Sequence, residues 1–351
     1  MLKRLGMLAG LLVLLVAAGI AAERFLAASF RAPGPARATL RVEVPAGVSV
    51  RGVLAHLAAS GALRHPRLTE LYLRLHGRRF SIKAGEYDIP AHASAAQVIE
   101  LLAEGRVVLE QVTVIEGSTF ADFRRALESQ PKIRSTLRGR PDAELMSVLG
   151  HPGQIPEGLF FPDTYRFAAG TADVEILKLA YERMQAVLAQ AWSARHADLP
   201  LATPYQALIL ASIVEKETGL PAERARIAGV FIARMRKGMR LQSDPTVIYG
   251  MGEHYDGTIR TRDLTTDTPY NTYTRGGLPP TPIALPGGPS IFAAVQPEDR
   301  GELYFVALGD GSGAHQFSAT LEQHNLAVQH YLTRLRAQAA GAQAAATRGK
   351  P

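Results

Sequence analysis

The sequence contains no cysteine. This absence excludes disulfide bonds, zinc–thiolate sites, iron–sulfur clusters and a cysteine nucleophile. It says little about the compartment, because a large exported domain folds without disulfides. The ten histidines form no HExxH motif and no pair spaced four residues apart, so we expect no metal site.

Three other motifs are missing. There is no GxSxG nucleophile elbow, since Ser312 lies in DGSGA. Gly309, Gly311 and Gly313 link two predicted strands and open no helix, so they do not predict a phosphate-binding loop. The basic residues are scattered and lack the aromatic clusters typical of nucleic-acid binding. We therefore predict no cofactor and no nucleic-acid partner.

The composition is that of a globular protein with a positive charge. The 351 residues suffice for two or three domains, and 47% are hydrophobic against 20% charged. The net charge of +7 suits an anionic partner. Nucleic acid, lipid head groups and a carboxylate-bearing cell wall all meet that description, and charge alone does not choose among them.

The N-terminus carries an uncharged run, Leu5 to Ala22, preceded by Lys3 and Arg4. As a helix it spans roughly 27 Å, close to the hydrocarbon thickness of a bilayer. The flanking cations favour a cytoplasmic N-terminus and an exported chain. A cleavable signal peptide is the competing interpretation, although such apolar cores usually run about 7–15 residues. We predict a cytoplasmic tip and anchor over residues 1–27 and a Pro/Gly-rich linker over 28–38.

A weak internal repeat follows, in RVEVPAGVSVRGVLAHLAASG, EYDIPAHASAAQVIELLAEG and QVTVIEGSTFADFRRALES. Each predicts a short strand, a turn and an amphipathic helix. Ser49 is a predicted N-cap, Ser94 with Gln97 a capping box, and Gly105 a helix end. The pattern predicts a small β/α subdomain over residues 39–130, either a compact spacer or a glycan-binding module.

Residues 131–337 predict a mixed α+β domain. A helix is expected from about 172 to 192, and Thr203 with Pro204 marks the start of another that ends near Gly219. A hairpin around GDGSG and a final helix capped by Thr320 follow. The Ala/Gly/Gln-rich segment 338–351 predicts a disordered tail.

Glu215 lies in the last turns of the helix that starts at Thr203, and this helix is apolar nearly all round. Such a helix is buried. Burial and the helix C-terminal dipole both favour the neutral carboxylic acid, which is the form that a general acid needs. A solvated helix end is the alternative. Glu217 points roughly 200° away, so the two carboxyls do not form one close pair.

The loops supply polar and aromatic groups suited to holding an uncharged sugar ring. The candidate substrate-binding residues are Asp163, Tyr165, Gln242, Asp244, Asn271 and Tyr273. Each also has a structural interpretation, since Asp163 and Asp244 sit beside proline, where Asx turns are common.

Five motifs, EGLFFPDTY, ASIVEKET, LQSDPTVIYG, YNTYTRGGLPPTPI and YFVALGDGSGAHQFS, occur here in this order. Together they resemble the endolytic murein transglycosylase (YceG-like) family over roughly residues 40–335. The resemblance implies that the first glutamate of EKET, Glu215, is catalytic. It also implies a LysM-like subdomain at 39–130 and a catalytic YceG-like domain at 131–337.

The resemblance further implies a single-pass protein of the cell inner membrane with its bulk in the periplasm. Its implied activity is cleavage of the MurNAc–GlcNAc bond inside nascent peptidoglycan strands, with 1,6-anhydro-MurNAc ends, which terminates strand elongation. Peptidoglycan synthases are implied as partners. Two alternatives remain open: a water-using muramidase with Asp163 or Asp244 as second carboxylate, and a non-catalytic wall-binding scaffold for synthases.

Overall fold

The structure is a computed structural model that describes residues 2–45, 47–77 and 81–348. Met1 of the predicted anchor, residues 46 and 78–80 of the predicted subdomain and residues 349–351 of the predicted tail lie outside the described residues. The chain forms two compact units. The first contains the described residues up to Gln111, with Lys132–Arg134 and Arg166–Thr171. The second contains Val112–Pro131, Ser135–Tyr165 and the described residues from Ala172 onward.

Helix α1 spans Leu2–Arg31. Its large apolar side chains from Met7 to Ile20 are exposed, and Gly6–Arg31 is long and apolar enough to cross a membrane, as the sequence predicts. The helix extends beyond the predicted anchor into residues 28–31, which were expected to be linker. The reason is packing: Leu26 and Phe30 are buried in the core of the first unit, where Phe30 stacks on Tyr72.

The first unit pairs strand β1 (Leu40–Val44) with strand β2 (Gly85–Ile89) in antiparallel register, Leu40 opposite Ile89. Its helices are α2 (Val50–Ala59), α3 (Pro66–Leu75) and α4 (Ala95–Glu104). Strands β3 (Leu109–Thr113) and β4 (Thr164–Ala168) form a separate two-stranded sheet.

The predicted helix ends of the first unit are confirmed. The Ser49 hydroxyl accepts a hydrogen bond from the Gly52 N–H at the start of α2. Ser94 and Gln97 form a reciprocal capping box at the start of α4, and Gly105 ends that helix with a left-handed φ of 64°. Local polar chemistry therefore fixes these boundaries.

The second unit is mainly helical. Its helices are α5 (Phe120–Glu128), α6 (Asp142–Val148), α7 (Asp173–Ser193), α8 (Pro204–Glu217), α9 (Arg224–Arg236), α10 (Asp244–Met251), α11 (Thr261–Thr265), α12 (Gly288–Val295) and α13 (Leu321–Arg348), with single 3-10 turns at Pro221–Glu223 and Gly252–His254. Strands β5 (Tyr304–Ala307) and β6 (His315–Ser318) form the predicted hairpin.

Helix α8 lies at the centre of this unit. Thr203 caps it by accepting from the Gln206 N–H, and all residues from Ala207 to Val214 are buried. Helices α7, α9 and α12 pack against it. The prediction of a buried helix is thus confirmed, because an all-round apolar surface needs neighbours on every side.

Two parts of the second unit differ from expectation. The loops expected to hold a sugar ring include helix α10, and helix α12 follows them. Pro245 and Pro289 each lie in the first turn of their helix, where a missing N–H costs nothing. Helix α13 continues through residues 338–348, where disorder was expected, and alanine-rich sequence has the highest helix propensity.

Candidate acid/base site

Glu215 lies in the last turn of α8, and its side chain is only 5% exposed. Two donors contact its carboxyl group. The Gly287 N–H donates to Oε2 at 2.9 Å, and Arg224 Nη2 lies 3.4 Å from Oε1. The carboxyl is therefore held in one orientation, as a group that must exchange a proton with a defined substrate atom requires.

Arg224 is the first residue of α9, and its side chain is 11% exposed. Its Nη2 also lies 3.9 Å from Oε2 of Glu116, so one nitrogen faces two carboxyl groups. Its Nε is buried and has no hydrogen-bond partner among the described residues. The contacts of the guanidinium with both acids are thus made through Nη2.

Glu116 begins a tight turn whose next residue, Gly117, has a φ of +78°. The Gly117 N–H donates to the Leu285 carbonyl, and the Leu285 N–H donates to the Ser118 carbonyl. Lys216 Nζ, on α8, donates to the Gly117 carbonyl at 3.1 Å. These bonds bring the Glu116 turn to the end of α8.

The Glu116 carboxyl is partly exposed, at 43%. Partial burial raises its pKa, and the nearby Glu215 charge raises it further, while Arg224 acts in the opposite direction. Gly287, the N-cap of α12, makes room for this group, since a Cβ at that position would overlap the Glu116 carboxyl. The site therefore contains two carboxyls, one guanidinium and one backbone N–H.

The segment before Gly287 is fixed to α8 and to the EGLFF motif. The buried Ser212 hydroxyl of α8 accepts from the Ile283 N–H at 3.0 Å and donates to the Ile209 carbonyl. Gly158, with a φ of +80°, lies so close to Pro282 that a Cβ there would overlap the ring. This fixed path is what places the Gly287 N–H on Glu215.

Burial raises the pKa of two further carboxyls in the second unit. Burial raises the pKa of Glu157 to about 7, although the Phe120 N–H and the Tyr249 hydroxyl donate to it. Burial raises the pKa of Glu217 to about 7 as well, against a 2.5 Å hydrogen bond from the Ser243 hydroxyl. As expected from their separation around the helix, Glu217 and Glu215 contact different partners.

The predicted substrate-binding residues fall into two places. Gln242, Asp244 and Tyr273 lie together beyond Glu217: the Tyr273 hydroxyl donates to Asp244 at 2.6 Å, and Gln242 has a left-handed φ of 53°. Gln242 and Asp244 are exposed. Asn271 is buried there, and its amide donates to three backbone carbonyls while its oxygen accepts from the Tyr273 N–H.

Asp163 and Tyr165 follow the EGLFF motif in the chain and contact other partners. Asp163 forms an ion pair with Arg183, and the buried Tyr165 donates its hydroxyl hydrogen to the Phe161 carbonyl. Within the described ranges, no hydrogen bond or ion pair joins Glu215 to any of the six predicted residues. The same ranges contain no cluster of His, Asp and Glu able to hold a metal ion.

Three residues of the site were not predicted from the sequence: Glu116, Arg224 and Gly287. Glu116 lies in the third repeat, which was assigned to the spacer or glycan-binding module. Glu116-Gly117 predicts a turn and Gly287-Gly288-Pro289 a break in regular structure, but neither pattern marks a functional group. Arg224 lies in no such pattern, since its role arises from tertiary contact alone.

Comparison with known proteins places this geometry in a family. The model of the YceG-like family matches residues 42–330. A crystal structure of a YceG-like protein from Listeria monocytogenes superposes with a TM-score of 0.52 at 28% identity, covering 83% of this chain and 99% of that one. The chain belongs to the YceG-like family, and its buried, oriented Glu215 carboxyl is the candidate acid/base group.

Named relatives are similar over most of the chain. The endolytic murein transglycosylase of Bacillus subtilis is 29% identical over 314 residues, which cover 85% of this chain and 86% of the relative. The protein of the same name from Streptococcus pneumoniae is 26% identical over 302 residues, covering 76% of this chain. This chain spans about half of that longer relative, 54% of its length.

Proposed function

We propose that this chain is an endolytic murein transglycosylase, an enzyme that cuts peptidoglycan glycan strands internally with Glu215 as its acid/base catalyst. The observation that carries the proposal is the Glu215 carboxyl, 5% exposed and held by the Gly287 N–H and Arg224 in a YceG-like chain. The B. subtilis and S. pneumoniae relatives bear that name.

The proposed reaction needs one protein carboxyl acting twice. Glu215 donates its proton to the glycosidic oxygen between MurNAc and GlcNAc as the C1–O bond breaks. The same carboxylate then takes the proton from the C6 hydroxyl of MurNAc, whose oxygen bonds to C1 and closes a 1,6-anhydro ring. The substrate supplies the nucleophile intramolecularly, so neither a protein nucleophile nor a bound water is required.

The two donors on Glu215 suit this double role. The Gly287 N–H and Arg224 stabilise the carboxylate that forms after the first proton transfer. They also fix which carboxyl oxygen faces the reaction centre, so the group is in place to recover a proton without rotating.

Some of the residues proposed for substrate binding contact the glycan directly, and others support them. The exposed Gln242 and Asp244 contact the glycan directly. Tyr273 and Asn271 hold the loop that presents them, through the hydrogen bonds already described. Asp163 and Tyr165 support a second, more distant part of the binding surface.

The apolar part of α1 anchors the protein in the cell inner membrane as a single span, with the N-terminus cytoplasmic and the remainder periplasmic. Residues 39–130 form a LysM-like module that binds glycan, and peptidoglycan synthases are partners, so that cleavage of nascent strands terminates their elongation. Deleting residues 2–22 should release the protein from the membrane fraction; retention there would contradict anchoring by this helix.

The proposal is tested with purified full-length chain in detergent and isolated glycan strands. Glu215→Gln preserves shape but cannot donate a proton, so we expect cleavage to fall by at least about a hundredfold. Glu253→Gln, which removes an exposed glutamate, serves as the matched control. A Glu215→Gln protein that cleaves like wild type would exclude this acid/base assignment; wild-type protein that binds strands but never cleaves them would favour a scaffold.

A further inference from the structure

Arg224 faces two acids with a single nitrogen. Its Nη2 lies 3.4 Å from Glu215 and 3.9 Å from Glu116, which places those two carboxyl oxygens within roughly 7 Å of each other. Two carboxylates at this separation repel each other, and one guanidinium charge neutralises only one of them. The group therefore carries an excess of one negative charge unless one acid keeps a proton.

The position of Glu116 is built into the backbone. Gly117 and Ser118 of its turn are both hydrogen-bonded to Leu285, and the Gly117 carbonyl accepts from Lys216 of α8. The absence of a side chain at Gly287 opens the space that the Glu116 carboxyl occupies. The same glycine donates its N–H to Glu215, so one residue serves both carboxyls.

The charged groups around Glu116 come from three helices. Helix α8 contributes Glu215 and Lys216, of which Lys216 is bonded to the Gly117 carbonyl. Helix α9 contributes Arg224, and α5 contributes Asp122, whose carboxyl is bonded within its own capping box to Thr119. Helix α12 offers only its uncharged N-terminus, Gly287 and Gly288. Glu215 and Arg224 are thus the two groups to which Glu116 responds most directly.

We propose that Glu116 is a positioning residue of the acid/base site, which competes with Glu215 for Arg224 and so weakens the hold of that guanidinium on the catalytic carboxyl. This inference rests on the proposed function of Glu215. The burial and charge effects that raise the pKa of Glu116 agree with it.

The role is distinct from that of a second catalytic carboxylate. Glu116 acts on the Glu215 carboxyl indirectly, through the shared Arg224 and through its own negative charge. When Glu215 has given up its proton to the glycosidic oxygen, Arg224 can move its full charge toward the new carboxylate. Among the described residues Arg224 Nε has no hydrogen-bond partner, so no bond through Nε opposes this movement.

The experiment is the pH dependence of kcat/KM for strand cleavage by full-length protein in detergent. Glu116→Gln removes the like charge and leaves Arg224 wholly to Glu215, so the acid form is lost at lower pH. We expect the alkaline limb of the profile to move down by about 0.5 to 1.5 pH units, estimated from Coulomb interaction at this separation. Glu116→Asp keeps the charge and should restore the limb to within about 0.3 units of wild type.

Each outcome decides between defined alternatives. If Glu116→Gln lowers kcat/KM but leaves the pH of the alkaline limb unchanged, the inference is overturned and the role of Glu116 is purely structural. An Asp variant that shifts as far as the Gln variant would overturn it too, because charge would then not be the cause. Glu253→Gln controls for a general loss of negative charge. Failure of the proposed function shows separately, as full activity of Glu215→Gln.

Discussion

Replacing Glu217 by glutamine tests how burial at the end of α8 sets the proton affinity of a carboxyl. Burial raises the pKa of Glu217 from its ordinary value of 4.5 to about 7, and the neighbouring Asp244 charge adds to this. The Ser243 hydroxyl and Arg234 act in the opposite direction. Glutamine has the shape of the protonated acid and keeps an oxygen that can accept the Ser243 hydrogen bond.

The direction of the pH dependence follows from the pKa of Glu217 in the folded state compared with its ordinary value. Between about pH 4.5 and 7 the folded state keeps a proton that the unfolded state has released. The contribution of Glu217 to stability is therefore greatest below about pH 4.5 and is lost as pH rises through 7. At about 1.4 kcal/mol per pH unit, the loss amounts to about 3 kcal/mol across this window.

The assay is urea unfolding of the full-length chain in detergent at several pH values across that window. The single tryptophan, Trp192, lies on α7 in the same unit and reports the transition. Wild type and Glu217→Gln should diverge by about 3 kcal/mol, with the variant gaining relative stability toward pH 7. Glu253→Gln should show no such divergence. Parallel curves for wild type and Glu217→Gln would refute the reasoning.

Two further substitutions test the framework of the site. Asn271→Ala leaves three backbone carbonyls and the Tyr273 N–H without their side-chain partner. In urea titrations the free energy of unfolding should fall by about 2–4 kcal/mol. An unchanged unfolding midpoint would show that the loop does not depend on this amide. Gly158 has a φ of +80°, and a Cβ there would overlap Pro282. Gly158→Ala should therefore lower the melting temperature by the equivalent of at least about 2 kcal/mol. Gly139→Ala, also at positive φ but in open space, should cost only about 1 kcal/mol. Equal effects of the two glycine substitutions would contradict close packing at Pro282.

Much of the fold could be predicted from local signals. Ser49, Ser94 and Thr203 mark helix starts because their hydroxyls accept backbone hydrogen bonds wherever the chain enters a helix. The buried nature of α8 follows from its apolar surface. Helix α12 was not predictable in this way, since Gly287 to Pro289 resembles a loop until its tertiary role is known.

Of the residues that form the site, only Glu215 was predictable from the sequence. Glu215 stands out because a carboxyl ends an apolar helix, and the EKET motif marks it. Glu116 and Arg224 are ordinary charged residues in sequence, separated from Glu215 by 99 and 9 positions. They meet Glu215 because the Gly117 turn and the start of α9 pack at the end of α8, and tertiary packing of this kind leaves no local pattern.

The chemical nature of the cleaved strand ends tests the lyase mechanism most directly. Wild-type protein in detergent would digest isolated glycan strands in water enriched in heavy oxygen, and the fragments would be weighed by mass spectrometry. Intramolecular attack by the MurNAc C6 hydroxyl predicts 1,6-anhydro ends, one water lighter than reducing ends and free of heavy oxygen. Reducing MurNAc ends that carry the heavy isotope would show that water is the nucleophile, and would contradict catalysis by Glu215 alone.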